Sequence, residues 1–160
     1  MRKSNYLKST NPRVPEAAAP FHHSLDIQVR FTDVDMLGHI NNNAILSYMD
    51  LAKLDYFQEI NGDFLQSRDQ ALAVVNINAD FYSQSFINEP LQVWTAVTSL
   101  GPKSVVLEQR VINSDTSETK AIGRFVMACF RRSTAKSDLL DPDWVSAAEA
   151  FEERTLSRKS

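Results

Sequence analysis

The chain has 160 residues, 43% hydrophobic and 23% charged, the make-up of one soluble globular domain that buries its core without metal or disulfide staples. Its 17 basic and 20 acidic side chains leave a net charge of −3, which argues against a general nucleic-acid binder. The single cysteine, Cys129, excludes an internal disulfide, and no run of about 18 apolar residues exists to span a membrane.

Arg2, Lys3, Lys8 and Arg13 have no apolar stretch behind them, so no secretory signal is expected, and the expected location is cytoplasmic. Pro12, Pro15, Pro20 and the alanines at 17–19 supply no packing pattern, so residues 1–21 read as a flexible tail. His22 and His23 lack cysteines or a second histidine pair nearby and read as surface residues rather than metal ligands. Leu25, Ile27, Val29 and Phe31 then alternate with Asp26, Gln28, Arg30 and Thr32, which predicts a half-buried strand from Leu25 to Thr32. From Asn43 to Ile60 the apolar residues Ile45, Tyr48, Met49, Ala52, Tyr56 and Ile60 recur at helical spacing. Leu46, Leu51, Leu54 and Phe57 broaden that stripe, so the helix is expected to be buried on much of its circumference. Asn61-Gly62 is its expected stop. Asp50 and Lys53 read as a surface ion pair of little weight.

Four strand-like stretches follow. Val75, Ile77, Ala79 and Phe81 alternate with polar residues; Leu91 to Leu100 and Val105 to Ile112 are joined by the short turn Gly101-Pro102-Lys103-Ser104; Ala121 to Arg131 is reached through a polar turn at 113–118. Cys129 lies in the apolar stretch from Phe125 to Phe130 and reads as a buried, inert thiol. Asp141-Pro142-Asp143 supplies a cap, a proline at the first helical position and an acid in the first turn, predicting a short helix to about Arg154. The order is strand, long helix, then antiparallel strands: an α+β chain whose curled sheet wraps a central helix. Its expected parts are a flexible tail (1–21), a main domain (22–137) and a C-terminal helix and tail (138–160).

Between the first strand and the long helix stands Asp33-Val34-Asp35-Met36-Leu37-Gly38-His39-Ile40-Asn41-Asn42. Such a junction collects reactive groups, because a strand delivers an acid while a helix start offers free backbone N–H groups. A carbonyl under attack needs a nucleophile or activated water on one side and donors for the developing oxyanion on the other. Asp35 can attack directly or serve as a base for water. The helix start near Asn42, with the positive end of its dipole, can supply the donors. Gly38 permits a tight turn between the two. His39 can orient the acid, contact the substrate or simply pack, while Asn41 and Asn42 can be side-chain donors or helix caps; Asp33 and Asp35 can also be turn or cap residues. There is no Gly-x-Ser-x-Gly elbow, no phosphate-loop lead before Gly101 and no zinc-ligand spacing, so no metal site is expected.

The run Val29-Arg30-Phe31-Thr32-Asp33-Val34-Asp35-Met36-Leu37-Gly38-His39-Ile40-Asn41-Asn42, with the order of elements, resembles the hotdog-fold acyl-CoA thioesterases of the 4-hydroxybenzoyl-CoA thioesterase-like group. The resemblance covers roughly Leu25 to Arg132 and rests on the Asp-x-x-x-His-x-Asn-Asn core; the acid-then-base pattern at Asp50 and Lys53 is also similar. Phe81-Tyr82-Ser83-Gln84 and Asn88-Glu89-Pro90 depart from the family pattern. The resemblance implies a hotdog fold of five or six strands and hydrolysis of acyl-CoA, or acyl-carrier-protein, thioesters. It places catalysis on Asp35 rather than Asp33, with His39 and Asn42 beside it and Gly38 and Asn41 in the substrate site. It implies no cofactor, since coenzyme A is part of the substrate, and a homodimer or homotetramer. It also sets the hairpin at Lys103 and Ser104 against coenzyme A, where Lys103 is either a phosphate contact or an ordinary turn lysine. The alternatives are a hotdog enoyl-CoA hydratase or dehydratase, whose histidine stands five rather than four positions after the acid, and a non-catalytic acyl-binding protein.

Overall fold

A computed structural model of the chain describes residues 9–60 and 69–156. Its elements are β1 (His23–Ile27), a single 3-10 turn (Phe31–Asp33), α1 (Asn42–Ile60), β2 (Gln70–Phe81), β3 (Leu91–Leu100), β4 (Ser104–Asn113), β5 (Thr119–Arg131), β6 (Lys136–Ser137) and α2 (Pro142–Glu152). The strands form one antiparallel sheet in the order β1-β3-β4-β5-β2, with the short β6 beside β5. The α+β expectation holds.

Alternation along the central strands makes the two faces. Val93 and Val97 of β3, Leu107 and Val111 of β4, and Phe125 and Met127 of β5 form one core with Ile45, Met49, Ala52 and Tyr56 of α1. Trp144, Val145, Ala148 and Phe151 of α2 join the same core. The expected boundary at residue 138 is therefore no division in the packing. Asp141 caps α2 as its sequence predicts, accepting the Asp143 N–H at 2.9 Å.

Several expectations are corrected. The pairing of β1 with β3 ends at Ile27, not Thr32, because the chain turns into the 3-10 helix at Phe31, which is left 85% exposed. The tail expected through Phe21 is docked at its end: Ala19 and Phe21 are buried, Phe21 against Ala96 and Ile112. His22 and His23 are likewise buried, not superficial; His23 Nε2 lies 2.7 Å from Asp55 Oδ2 and 3.7 Å from Glu59 Oε2. Leu51 and Leu54 are exposed at 54% and 44%, so α1 buries a narrower stripe than expected. Lys53 is buried, with its Nζ 3.7 Å from the centre of the Phe125 ring and 3.1 Å from Asp50 Oδ1. Burial holds its pKa below that of an ordinary lysine, against the pull of Asp50. The expected stop at Asn61-Gly62 lies outside the described residues.

β2 starts at Gln70 rather than Val75 and is an edge strand. Its alternation predicts one buried face, yet Val75, Ile77 and Phe81 are 62%, 50% and 41% exposed. Twelve residues of edge with apolar side chains in the open form a surface that natural sheets normally cover or pair.

Candidate active site

The run before α1 folds into a small, closed loop. Asp33 sits in the 3-10 turn, buried, and its Oδ2 accepts the Arg30 N–H at 2.9 Å and the Tyr48 hydroxyl at 2.7 Å. Burial works against the charge on Asp33, but the bonds from Tyr48 and Arg30 outweigh it and hold its pKa below the usual carboxylate range. The same contact raises Tyr48, first by burial and then by the bond to Asp33. Val34 then pairs with Ile40, and the Asp35 N–H bonds to the His39 carbonyl at 2.9 Å. Gly38 closes the turn at φ +77°, donating its N–H to the Asp35 carbonyl at 3.0 Å. This is the left-handed region that a residue without Cβ enters at no cost.

Asp35 itself is exposed. Its Oδ1 accepts the N–H groups of Leu37 (2.9 Å) and His39 (3.1 Å), which leaves Oδ2 for other partners. The His39 ring is half-buried, edge-on to Phe86 at a centroid distance of 5.0 Å. Asn41 stands just before α1: its N–H bonds to the Asp33 carbonyl and its carbonyl accepts the Ile45 N–H, the first bond of the helix. The N–H groups of Asn42, Asn43 and Ala44 precede that bond and have no partner within the helix.

Asp35, His39, Asn41 and Asn42 line one open cleft of about 650 Å³, together with Arg30, Asp33 and Ser47. A smaller cavity of about 260 Å³ adjoins it through Ile40, Asn42 and Gln84 and reaches Phe81, Tyr82 and Lys120. The structure thus brings together four of the expected site residues, with Gly38 in the turn that joins them. Lys103 and Ser104 are elsewhere. Ala121 at the start of β5 lines the smaller cavity, whereas Cys129 donates its N–H to the Lys103 carbonyl eight residues further along β5, about 26 Å away at a rise of about 3.3 Å per residue. Lys103 Nζ lies 3.3 Å from Ser137 Oγ.

Two neighbours of the cleft carry no sequence motif. Tyr48 belongs to the apolar stripe of α1 by spacing, and only its hydroxyl shows why tyrosine stands there. Lys120 is buried, with Nζ 2.7 Å from Glu89 Oε2 and 3.0 Å from the Gln84 carbonyl. Burial opposes the charge on Glu89, but its bonds from Lys120 and Asn113 prevail and keep its pKa low. Glu89 thus has a structural task in the segment where the chain departs from the family pattern. Among the described residues, His23, Asp55 and Glu59 bring ligand atoms within 4.8 Å of one another, and none of the three lines the cleft. Cys129 is buried as expected, and burial pushes its thiol pKa up.

With this geometry, comparison with known proteins is specific. Residues 29–149 match the family model of the thioesterase-like superfamily. The long-chain acyl-CoA thioesterase FadM of Escherichia coli is 23% identical over 116 residues, covering 72% of this chain and 88% of that protein. YsmA of Bacillus subtilis, itself uncharacterized, is 28% identical over 82 residues; the match covers 51% of this chain and 54% of YsmA, so it spans about half of that relative's length. A thioesterase from Thermus thermophilus, crystallised with coenzyme A and Zn, superposes with a TM-score of 0.76 at 29% identity, over 85% of this chain and 98% of that one. The shared architecture is the hotdog fold.

The turn at Gly38 yields a direct test. A Cβ there meets nothing within 4 Å, so Gly38→Ala adds backbone strain without a clash. It is expected to lower stability by about 1–2 kcal/mol, read as a lower urea midpoint with an unchanged slope. An unchanged midpoint would show that the loop adopts another conformation.

Proposed function

We propose that this chain, which belongs to the thioesterase-like superfamily and is a thioesterase, hydrolyses acyl-CoA to the free acid and coenzyme A at the cleft before α1. The observation that carries the reading is the placing on one cleft of an exposed carboxylate, Asp35, and the α1-start residues whose N–H groups precede the helix's first internal bond. Acyl-CoA is the substrate of FadM by its name, and coenzyme A is bound in the Thermus structure, which supports the same substrate here.

The chemistry follows from the two walls. A thioester carbonyl oxygen directed at Asn42–Ala44 N–H groups is polarised by the helix dipole and stabilised as it becomes an oxyanion. With Asp35 as general base, water adds to the carbonyl carbon and its proton passes to Oδ2. The tetrahedral intermediate then expels the coenzyme A thiolate, which takes up the proton. With Asp35 as nucleophile, Oδ2 adds instead, the thiolate leaves, and water hydrolyses the mixed anhydride. Either route uses an ionised Asp35, with His39 and Asn41 bordering the reacting group.

The enzyme acts as a homodimer joined along β2, where Val75, Ile77 and Phe81 lie open beside a free edge. β2 pairs with β5 from Gln70↔Arg131 to Phe81↔Ala121. Antiparallel β2–β2 pairing across a two-fold axis brings the partner's Gln70 end beside this chain's Phe81 end. The same operation carries the partner's Lys103 hairpin to the end of the sheet where this chain's cleft lies. Lys103 then contacts the nucleotide phosphates of a substrate whose thioester lies against the other chain's Asp35. Asp69 and Asp138 already engage Arg131, at 3.7 Å and 2.6 Å, which leaves Lys103 the better phosphate contact.

Asp35→Asn keeps the size of the side chain but removes the group that attacks or takes the proton. It is expected to fold normally and to lose at least about 100-fold in turnover, measured as free coenzyme A released from a panel of acyl-CoAs. Parent-level turnover would move catalysis to another residue, and hydration of enoyl-CoA without thiol release would mark a hydratase instead. Light scattering at micromolar concentration should give at least a dimer. Lys103→Ala should raise KM for acyl-CoA with little change in kcat, an effect that shrinks with salt. A pantetheine thioester lacking the nucleotide should be indifferent; equal damage to both substrates, or a monomeric enzyme, would remove Lys103 from the binding site.

A further inference from the structure

We infer that Asp33 and Tyr48 form a positioning pair that fixes the acid-bearing loop against the start of α1, so that turnover depends on their bond. The inference rests on the functional reading above and concerns two residues that take no chemical part in it.

Both halves of the site are referenced to Asp33. Through its backbone, Asp33 holds the helix entry: its carbonyl accepts the Asn41 N–H at 2.9 Å, one residue before α1 begins. Two residues on in sequence is Asp35, and Val34 between them is pinned to Ile40 across the loop. Through its side chain, Asp33 reaches α1 a second time, where the Tyr48 hydroxyl donates at 2.7 Å from the second turn of the helix. The loop is therefore tied to α1 at two points, before its first turn and after it. Two ties fix an orientation where one would leave a hinge. The Arg30 N–H at 2.9 Å and its guanidinium at 3.6 Å fill the remaining positions around the carboxylate, whose side chain is only 8% exposed.

The geometry matters because the reaction needs Asp35 and the Asn42–Ala44 N–H groups on opposite sides of one carbonyl. Neither lies on a rigid element by itself: Asp35 is exposed in a glycine-containing turn, and the N–H groups are at a helix end. Sites of this kind must be held to within about 0.5 Å by surrounding bonds, and a misplacement of about 1 Å costs on the order of 100-fold in rate. A buried phenol also needs a partner for its own sake. Any acceptor would meet that need, whereas this one belongs to the residue that also carries the helix entry.

Tyr48→Phe keeps the ring, which is 5% exposed, and removes only the hydroxyl. The expected result is a folded protein whose kcat for acyl-CoA falls at least about tenfold while KM stays within about twofold, the split of an interaction felt only in the transition state. Asp33→Asn combined with Tyr48→Phe should lose no more than the worse single variant, because the two act as one unit. Parent kcat in Tyr48→Phe, a rise in KM alone, or losses that add in the double variant would each overturn the pairing. If Tyr48→Phe does not fold, Asp33→Asn, whose amide oxygen still accepts from Tyr48, is compared with Asp33→Ala. A higher kcat for Asn than for Ala supports the pair, and equal values overturn it. Failure of the functional reading looks different: the parent protein would release no coenzyme A, or Asp35→Asn would remain fully active.

Discussion

Seating a helix of 19 residues across one face of a single antiparallel sheet is the constraint from which the rest of this molecule follows. The approach is close. A Cβ on Gly123 of β5 would come within 2.8 Å of the Met49 sulfur and 2.7 Å of the Phe125 ring, so a larger residue there would make those two side chains shift. A polar contact fixes its rotation: the buried Gln109 of β4 donates to the Met49 carbonyl at 2.8 Å and to the Thr95 hydroxyl at 2.9 Å. With depth and rotation set, the N-terminus of α1 must lie where β2 ends and β5 begins, as the shared cavity of Asn42, Phe81 and Ala121 records. The loop that leads into α1 has one place to go.

That arrangement leaves several charges inside, each at a seam between elements. Glu152 at the end of α2 accepts the Tyr56 hydroxyl of α1 and lies 3.1 Å from the Val97 N–H of β3, joining three elements in one contact. Burial, with the nearby Glu152 charge, drives the Tyr56 pKa well above its ordinary value, so the phenol stays a donor. Lys120 and Glu89 close the loop below the smaller cavity, and Lys53 lies over Phe125 with Asp50 as its anion. A buried ion that lost its partner would cost about 3–5 kcal/mol. These groups therefore specify how elements meet more than they add to stability.

The elements were legible in the sequence wherever the apolar period was strong. The strands from Leu91 to Arg131 and the helix after Asp141 fall within a residue or two of their expected bounds, because alternation and capping are local properties. The misses share a cause in what lies outside the segment. Leu51 and Leu54 have the spacing of core residues, but they line an open groove between α1 and β1 rather than the packed core. His22, His23 and Lys53 read as surface residues because polar side chains usually are; their burial depends on partners 30 or more residues away, such as Asp55 for His23 and the Phe125 ring for Lys53. The candidate site was legible as a cluster, since Asp35, His39, Asn41 and Asn42 lie within eight residues and the loop closes on itself. Tyr48 was invisible as a site neighbour, because its ring satisfies the apolar pattern and conceals the purpose of its hydroxyl.

Asp33 and Asp35 show how one residue type takes two tasks at a separation of two positions. In an extended chain they would point the same way and compete for the same partners. The 3-10 turn at Phe31–Asp33 breaks that symmetry, turning Asp33 inward to Tyr48 and Arg30 while Asp35 stays at the mouth of the cleft. An acid whose lone pairs are filled by a phenol and a backbone N–H is a poor nucleophile and a poor base, however strongly it is ionised. An acid with one oxygen held by two turn N–H groups and the other open is oriented and still able to react. Environment rather than residue identity divides the labour between the two carboxylates, as it does wherever paired acids serve different roles. The division needs both features of the loop: the buried turn that spends Asp33 on structure, and the glycine at position 38 that closes the turn holding Asp35 on the cleft.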